Sequence, residues 1–422
     1  MPAPDSTTAI ETVFRIEFPR LVGGLARVVN DLDLAEELAQ DALVDALAQW
    51  PRDGVPRNPG AWLMTVAKRK AIDRIRRDRR FDVKAAELAR SLEGTEAGPD
   101  DHDPDHIVDD RLRMLFVACH PVLPVPSRIA LSLRMVGGLT TTEVARAFLQ
   151  PEPTVAQRIV RAKKAIADAG VPFEVPTGDD RATRLASVLE VIYLIYNEGY
   201  SATAGDDWLR PDLCGEAIRL ARLLAALDPH DSEVHGLLAL VELQSSRLVA
   251  RVGPDGEPVL LLDQDRRRWD PLLMRRGLAS LDRAMSTTEA PGAYVLQAAI
   301  AACHARAVRA EDTDWAAIVG WYDLLRRAMP SPVVELNRAV AVSMASGPAD
   351  ALVVVDRLAS DGALDRYHLL HSVRGDLLER SDRHAEAADA FDLAASLAQN
   401  GRDQDLLVSL AAASRARPGT SG

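Results

Sequence analysis

The sequence predicts an all-α protein. Of its 422 residues, 47% are hydrophobic and 27% are charged, which is the composition of a chain that folds around a substantial core. Aromatic residues make up 5%, and alternating runs of β-branched residues are nearly absent. Alanine, leucine and arginine, which favour helices, are abundant. Apolar residues recur at helical spacing between breaks rich in proline and glycine, so we expect two or three helical domains.

The bulk composition also limits the classes of function. The formal net charge is −12, so a strongly cationic segment would indicate an anionic partner such as nucleic acid. Cys119, Cys214 and Cys303 form no CxxC pair and are expected to be buried small residues in a reducing compartment, with no disulfide framework. No cofactor or metal site is predicted, because none of these cysteines has a partner at ligand spacing. The N-terminus does not resemble a signal peptide and no apolar run approaches ~20 residues, so a cytoplasmic protein is expected.

The first predicted domain, residues 1–80, consists of three helices. The opening helix is amphipathic, and an acidic helix, LAEELAQDALVDALAQW, follows Asp33 as its expected N-cap. The loop PRDGVPRNPG then interrupts the helical pattern with three prolines and two glycines. The third helix is expected to begin after Asn58, which can cap it, with Pro59 in its first turn.

This third helix is strongly cationic. Residues 58–80 contain eight basic residues and two acids. Its basic side chains can pair with phosphates, which gives affinity for nucleic acid without sequence information. Trp62 could stack on an unpaired base, although a core position is an equally good interpretation. The candidate DNA-binding residues of this helix are Asn58, Trp62, Lys68, Arg69, Lys70, Arg74, Arg76 and Arg77.

An acidic linker is predicted over residues 81–110. Residues 81–109 contain nine acids and two bases, and the second half of this stretch has the composition of a disordered segment.

The second predicted domain, residues 111–172, has a helix-turn-helix pattern. Thr140 and Glu143 form one predicted capping box, and Thr154 with Gln157 forms another, at the start of a second, basic helix. The first turns of a recognition helix usually reach base edges, whereas Lys163 and Lys164 are expected to contact phosphate or solvent. The candidate DNA-binding residues here are Thr154, Gln157, Arg158, Arg161 and Lys164.

The third predicted domain, residues 180–415, shows a weak repeat. Small residues recur with a larger residue four positions later, at intervals of 34 and 36 residues, as in tetratricopeptide repeats. The pairs are Ala317 with Trp321, Ala351 with Val355 and Ala387 with Phe391, preceded by the small residues Ala305, Ala339 and Gly375. An irregular helical domain remains an alternative, because alanine is common throughout. Gly199 is expected to end a helix, although a contact of residues 196–200 with the other domains or with a ligand is an alternative. Residues 253–270 are expected to form a turn or short hairpin.

The ordered segments NPGAWLMTVAKRKAIDRIRR and LTTTEVARAFLQPEPTVAQRIVRAKKAI resemble a bacterial sigma-70 factor of the extracytoplasmic-function type, over residues 10–170. The third domain resembles the tetratricopeptide-like extension of one subgroup of these factors. The resemblance implies a transcription initiation factor that binds core RNA polymerase and promoter DNA, with residues 1–80 engaging the −10 element and residues 111–172 the −35 element. It also implies that the C-terminal domain regulates activity. The polymerase-binding residues that it implies are Asp33, Glu36, Glu37, Gln40 and Asp41.

Two other classes of function fit parts of the pattern. One is a stand-alone helix-turn-helix regulator with a helical sensor domain, although such a protein does not need the acidic helix. The other is an enzyme on the helical repeats, in which Glu190 and Glu198 would perform acid–base chemistry. No Ser/His/Asp set, P-loop or metal spacing accompanies these glutamates, so we expect no enzymatic activity.

Overall fold

The fold is that of a computed structural model. The structure describes residues 6–29, 31–78, 110, 113–148, 150–201, 209–254, 257–398 and 400–417. The chain divides into two compact units, Met1–Leu194 and Ile195–Gly422, which are called the first and the second unit below. The predicted acidic linker lies outside the described residues, apart from Asp110. Helices account for nearly all regular structure in the described part, which confirms the all-α prediction.

The first unit contains, in its described residues, six complete helices and part of a seventh. A further segment, residues 113–118, is also helical. The helices are α1 (Ser6–Val29), α2 (Leu32–Asp53), α3 (Pro59–Asp78), α4 (Val125–Met135), α5 (Thr141–Ala147), α6 (Glu152–Asp168) and α7 (Gly178–Tyr200), of which α7 continues into the second unit. Helices α1, α2 and α3 pack on one another, and α4, α5 and α6 form a second group.

Two of the predicted helix caps are confirmed. The Asn58 side chain accepts a hydrogen bond from the Ala61 amide at 3.1 Å, so the loop ends at that position. At the start of α5, the Glu143 amide donates to Thr140 Oγ1 at 3.1 Å, and the Thr140 amide donates to Glu143 Oε2 at 2.7 Å. These reciprocal bonds form a complete capping box.

Two other cap predictions are wrong. Helix α2 begins at Leu32 and is capped by Asp31, whose carboxylate accepts from the Leu34 amide at 3.0 Å, so Asp33 lies in the first turn. Helix α6 begins at Glu152 after Pro151, so Thr154 lies inside the helix rather than at its cap. In each case an earlier residue has the non-helical backbone that an N-cap needs.

The first part of α7 packs on the segment that precedes α4. Arg184 is buried and donates to the Phe116 carbonyl at 3.3 Å. Arg128 of α4 donates to Ser187 Oγ at 3.0 Å and to Glu190 at 3.2 Å. These bonds explain why the first compact unit extends into α7.

The described part of the second unit is built from ten further helices, joined in places by short 3₁₀ turns. They are α8 (Pro211–Leu227), α9 (Ser232–Ser245), α10 (Pro271–Ser286), α11 (Ala293–Arg306), α12 (Trp315–Ala328), α13 (Pro332–Ser346), α14 (Pro348–Ser360), α15 (His368–Glu379), α16 (His384–Leu397) and α17 (Gly401–Ala416). From α11 onwards, each helix packs against the next.

Small residues allow the helices of the second unit to approach closely. A Cβ added at Gly375 of α15 would lie 2.7 Å from the Phe391 ring of α16. The repeat positions Ala339, Ala351, Val355 and Ala387 are all fully buried in the same core. The second and third predicted repeat units therefore contribute to this core, whereas Ala317 and Trp321 of the first are partly buried against another apolar cluster.

Gly199 has a role different from the predicted one. Helix α7 continues through it to Tyr200, so Gly199 does not end the helix. A Cβ at this position would lie 2.7 Å from the Cys214 amide nitrogen and 2.9 Å from the Arg210 carbonyl, so the absence of a side chain admits the start of α8. Tyr196 is fully buried in the second unit, as expected of a core tyrosine, and its hydroxyl accepts from Ser245 Oγ at 3.2 Å.

At the start of the insertion, residues 253–270, a single antiparallel bridge joins the preceding Val252 to Pro258. Arg266 follows it and donates to the carbonyls of His304 and Ala307 at 2.6 and 2.8 Å. Because those carbonyls lie at the end of α11, this arginine attaches the insertion to the helical array.

Candidate nucleic-acid interface

Helix α3 presents several of the predicted DNA-binding residues at its surface. Asn58 and Arg69 are exposed, and Lys68 is half-buried. Trp62 is also half-buried, and its ring meets the buried Trp50 ring edge to face at 5.3 Å between centroids. The side chains of Arg76 and Arg77 lie outside the described part of the structure.

Two α3 cations are paired with carboxylates of α2. The Lys70 ammonium lies 3.0 Å from the Asp45 carboxylate and 4.0 Å from that of Asp41. Arg74 lies 3.2 Å from Glu37, and both side chains are about half exposed. Two residues of the predicted DNA-binding set therefore contact two residues of the predicted polymerase-binding set. Such exposed pairs contribute little stability, so either partner can exchange its contact for an external one at small cost.

Helix α6 divides its polar residues between two faces. Val155, Ile159, Ala162 and Ile166 are buried. Thr154, Gln157, Arg161 and Lys164 are exposed, and Arg158 is half-buried. The spacing of the four exposed residues is three, four and three positions, which places them in one row along the helix.

Lys163 does not reach solvent, contrary to the sequence prediction. Its ammonium forms an ion pair with Glu36 at 2.9 Å and another with Asp33. Arg134 of α4 contacts the second Glu36 oxygen at 2.5 Å. The side chains of Glu36, Lys163 and Arg134 are only 9–14% exposed. We call these three residues the Glu36 cluster.

Electrostatics favour the charged forms of the cluster. Burial raises the pKa of the Glu36 carboxyl, but Arg134 and Lys163 together lower it by more than burial raises it. The net pKa therefore lies below the usual 4.5. Burial lowers the pKa of the Lys163 ammonium, but Asp33 and Glu36 raise it more, so the net pKa lies above 10.5. The cluster is therefore a salt bridge over the neutral pH range.

The predicted polymerase-binding residues are arranged around this cluster. Asp33, Glu37, Gln40 and Asp41 are exposed on α2, whereas Glu36 is buried. A groove of about 310 Å³ separates this face of α2 from α6. Four of the five predicted residues line it, namely Asp33, Glu36, Glu37 and Gln40.

The sequence prediction did not identify Arg134 as a functional residue or Lys163 as a partner of Glu36. They lie 98 and 127 positions from Glu36 in the chain, so no local spacing indicates the contacts.

The described residues show no arrangement typical of catalysis or metal binding. Glu190 is paired with Arg128 and Glu198 with Arg210, so each carboxylate has a structural partner. The three cysteines are buried and free, and burial raises the pKa of Cys119 and of Cys214 to about 12. No cluster of three or more potential metal ligands occurs among the described residues. None of the helices in the described part is long and apolar enough to span a membrane.

Comparisons with known protein families agree with the helical arrangement. Residues 14–81 match sigma-70 region 2, and residues 113–166 match sigma-70 region 4. Residues 184–285 match a family of unknown function, DUF6596. An uncharacterised protein of Rhizobium meliloti is 49% identical over 91% of both chains.

Named relatives match the N-terminal part. The RNA polymerase sigma-H factor of Pseudomonas aeruginosa is 32% identical to this chain, and the match spans 36% of the chain and 82% of that factor. The ECF RNA polymerase sigma factor SigK of Mycobacterium ulcerans is 28% identical over 33% of this chain and 74% of its own length. The chain therefore belongs to the sigma-70 family, as a factor of the extracytoplasmic-function type that acts in transcription initiation.

Proposed function

We propose that the exposed row of α6 recognises the −35 element. Thr154, Gln157 and Arg161 present hydroxyl, amide and guanidinium groups from the first half of the helix, and these groups can bond base edges in the major groove. Lys164, one turn further on, is placed for a phosphate. The observation that supports this proposal is the division of α6 into a buried apolar face and this one exposed polar row.

Helix α3 would engage the −10 element. Asn58 and Arg69 are exposed, and Trp62 is half-buried at the helix start, where its free edge could contact an unstacked base. Within this proposal Lys68, Lys70, Arg74, Arg76 and Arg77 neutralise phosphates. For Lys70 and Arg74 this requires exchange of their α2 partners for DNA.

Helix α2 would bind core RNA polymerase through its acidic face. Asp33, Glu37, Gln40 and Asp41 are exposed, and the ion pairs of the three carboxylates with Lys163, Arg74 and Lys70 would be exchanged for this contact. Glu36 is not available, because Arg134 and Lys163 occupy both of its oxygens. We infer that docking through Glu36 requires α4 and α6 to separate from α2, so the described arrangement is a closed state.

We further propose that the C-terminal helices, residues 180–415, regulate initiation through an intramolecular contact with the sigma domains. The pattern of small and large residues at a period near 34 supports a tetratricopeptide-like array, which is an architecture suited to binding other proteins. The protein would act in the cytoplasm as part of the polymerase holoenzyme.

Run-off transcription with core polymerase tests the assignment. The full chain should direct initiation from a cognate promoter. On a template whose −10 region is already open, Arg161→Ala should reduce initiation more than Arg69→Ala does. Co-purification with core polymerase separates the proposal from a stand-alone regulator. A chain that binds promoter DNA but never polymerase would exclude the sigma assignment of α2.

A further inference from the structure

The second unit contains a cavity that no family match explains. It has a volume of about 330 Å³, at the lower end of the range for small-molecule sites. One wall comes from residues 200–264 and the other from α15 and α17, more than a hundred positions later. The matched family, residues 184–285, covers the first wall only.

Two arginines form the cationic end of this cavity. The Arg251 guanidinium lies 3.6 Å from the centroid of the Tyr200 ring, and the Arg247 guanidinium lies 5.6 Å from the same centroid. Arg251 also donates to the Tyr200 carbonyl, which holds its orientation. The two guanidinium groups therefore share one aromatic ring at the cavity wall.

Arg247 and Arg251 repel each other, and the carboxylate of Asp403 in the same cavity offsets part of the charge of Arg251. Burial lowers the pKa of Arg251, and the charge of Arg247 lowers it further. The charge of Arg247 also lowers the pKa of Arg266, and burial, Arg247 and Arg266 together lower the pKa of His304 to about 3. No ion pair joins Arg247 to a carboxylate within the described residues. An anion between the guanidinium groups would relieve this repulsion.

One residue of the lining, Gln264, has an acceptor that is unpartnered among the residues that the structure describes. Gln264 is 7% exposed and lines the cavity. Its Nε2 donates to the Val259 carbonyl at 3.1 Å, but its Oε1 is buried without a hydrogen-bond partner in the described part of the chain. A buried acceptor without a partner costs about 1–3 kcal/mol, so a ligand whose donor reaches this oxygen through a small turn of the amide would be favoured.

The remaining walls are largely apolar. They include Val259, Leu261, Leu406 and Leu407, with His368 and Asp403 at one side. His368 lies 3.9 Å from Asp403, and burial lowers the pKa of this imidazole and raises that of the carboxyl. A ligand must therefore combine an acid group with an apolar body.

We propose that this cavity binds a small organic anion with an apolar body and a hydrogen-bond donor, whose acid group lies between Arg247 and Arg251. The volume favours a small molecule over a peptide segment. The residues that line the cavity all belong to the second unit, so binding can be measured without DNA or polymerase. It gives the proposed regulatory domain a chemical input.

Isothermal titration of the full-length protein tests this site with three probes. The first probe, 4-hydroxyphenylacetate, carries a carboxylate, a ring and a phenolic donor. Its methyl ester removes the charge, and inorganic phosphate supplies an anion without an apolar body. We expect saturable binding of the acid in the micromolar to millimolar range and binding of the ester weaker by about tenfold or more.

Variants locate the binding site. Arg247→Gln should weaken binding of the acid by about tenfold or more, because it removes half of the guanidinium pair. Arg267→Gln is the matched control: Arg267 lies in the neighbouring 3₁₀ turn but is 90% exposed, so binding should stay as in the unmodified protein. Ser372→Trp should fill the cavity and abolish binding without removing a charge. The test therefore does not depend on the correct folding of the arginine variant alone.

Several results would overturn the proposal. They are equal binding of acid and ester, equal losses of affinity in the Arg247 and Arg267 variants, unchanged binding in Ser372→Trp, and no saturable binding of the acid at millimolar concentration. Binding of inorganic phosphate alone would show a simple anion site and would also exclude the proposed ligand class.

Discussion

Both compact units have an apolar core, but they differ in the contacts that join particular helices. In the first, α2 meets α4 and α6 through the buried charges of the Glu36 cluster, and it meets α3 through exposed ion pairs. In the second, α15 meets α16 where Gly375 admits the Phe391 ring, within a core of alanines and leucines. Charged contacts can be exchanged for polymerase or DNA, whereas apolar packing has no such external substitute. We therefore expect the charged contacts of α2, rather than the α15–α16 packing, to be the ones that change when a partner binds.

The largest expected effect follows from replacing Glu36. The variant Glu36→Gln leaves Arg134 and Lys163 buried without their shared carboxylate, so we expect the first unit to lose about 3–5 kcal/mol of stability. Urea unfolding followed by tryptophan fluorescence measures this loss. The matched control is Glu37→Gln, which removes an exposed pair and should cost less than about 1 kcal/mol. Equal effects would show that the Glu36 cluster does not join the helices.

The pH dependence of unfolding sharpens the same point. Because the folded-state pKa of Glu36 is lowered, its contribution to stability is complete above the unfolded value near 4.5 and disappears as the pH falls through the folded value. We therefore expect the first unit to destabilise in acid, and Glu36→Gln to flatten that dependence. If stability depended on pH in the same way in Glu36→Gln and in the unmodified protein, Glu36 would not be the cause of the acid destabilisation.

Packing in the second unit is tested by Gly375→Ala. The new methyl would overlap the Phe391 ring, so we expect a loss of about 1–3 kcal/mol, measured by thermal unfolding. This loss should be nearly independent of salt, unlike the effect of Glu37→Gln. If Gly375→Ala left the stability unchanged, the α15–α16 packing would be looser than the short distance between Gly375 and the Phe391 ring indicates.

The cationic residues Arg158, Arg161 and Lys164 of α6 should affect binding rather than stability. The double variant Arg158→Ala, Arg161→Ala should weaken binding of the holoenzyme to its −35 sequence by about 1–3 kcal/mol for each bidentate bond to a base that the substitutions remove. Lys164→Ala should weaken binding equally on all sequences, as expected of a residue that binds phosphate. Fluorescence anisotropy with cognate and scrambled promoters distinguishes the two. A uniform reduction in affinity for the arginine variant would assign these residues to phosphates as well.

The smallest expected effect has the opposite sign. Gly320 is exposed within α12, and a Cβ there meets nothing within 4 Å. Gly320→Ala should stabilise the second unit by about 0.5–1 kcal/mol, because alanine favours the helix. Comparison of Gly320→Ala with Gly375→Ala separates the effect of helix propensity from that of interhelical packing. If both variants were destabilised, backbone conformation rather than the space for a side chain would explain why glycine is needed at both positions.

Local signals in the sequence predicted a substantial part of the fold. Asn58 and the Thr140–Glu143 pair were correctly placed as caps, because each cap is formed by residues three positions apart. The same reasoning failed at Asp33 and Thr154, since several nearby residues could cap and only the backbone decides among them. Gly199 was misplaced because a glycine at a helix end and a glycine at a helix crossing have the same sequence signature.

The sequence by itself determined the helical class, the cationic character of α3 and α6, and the segments that resemble sigma-70 regions. These properties depend on composition and on periods of a few residues, so they can be read along the chain. Only the tertiary structure decided that Lys163 is a structural cation while Lys164 is exposed, and that Arg247 and Arg251 face one cavity. Whether a charge is buried or available depends on partners far away in the chain, and local patterns carry no information about such distances.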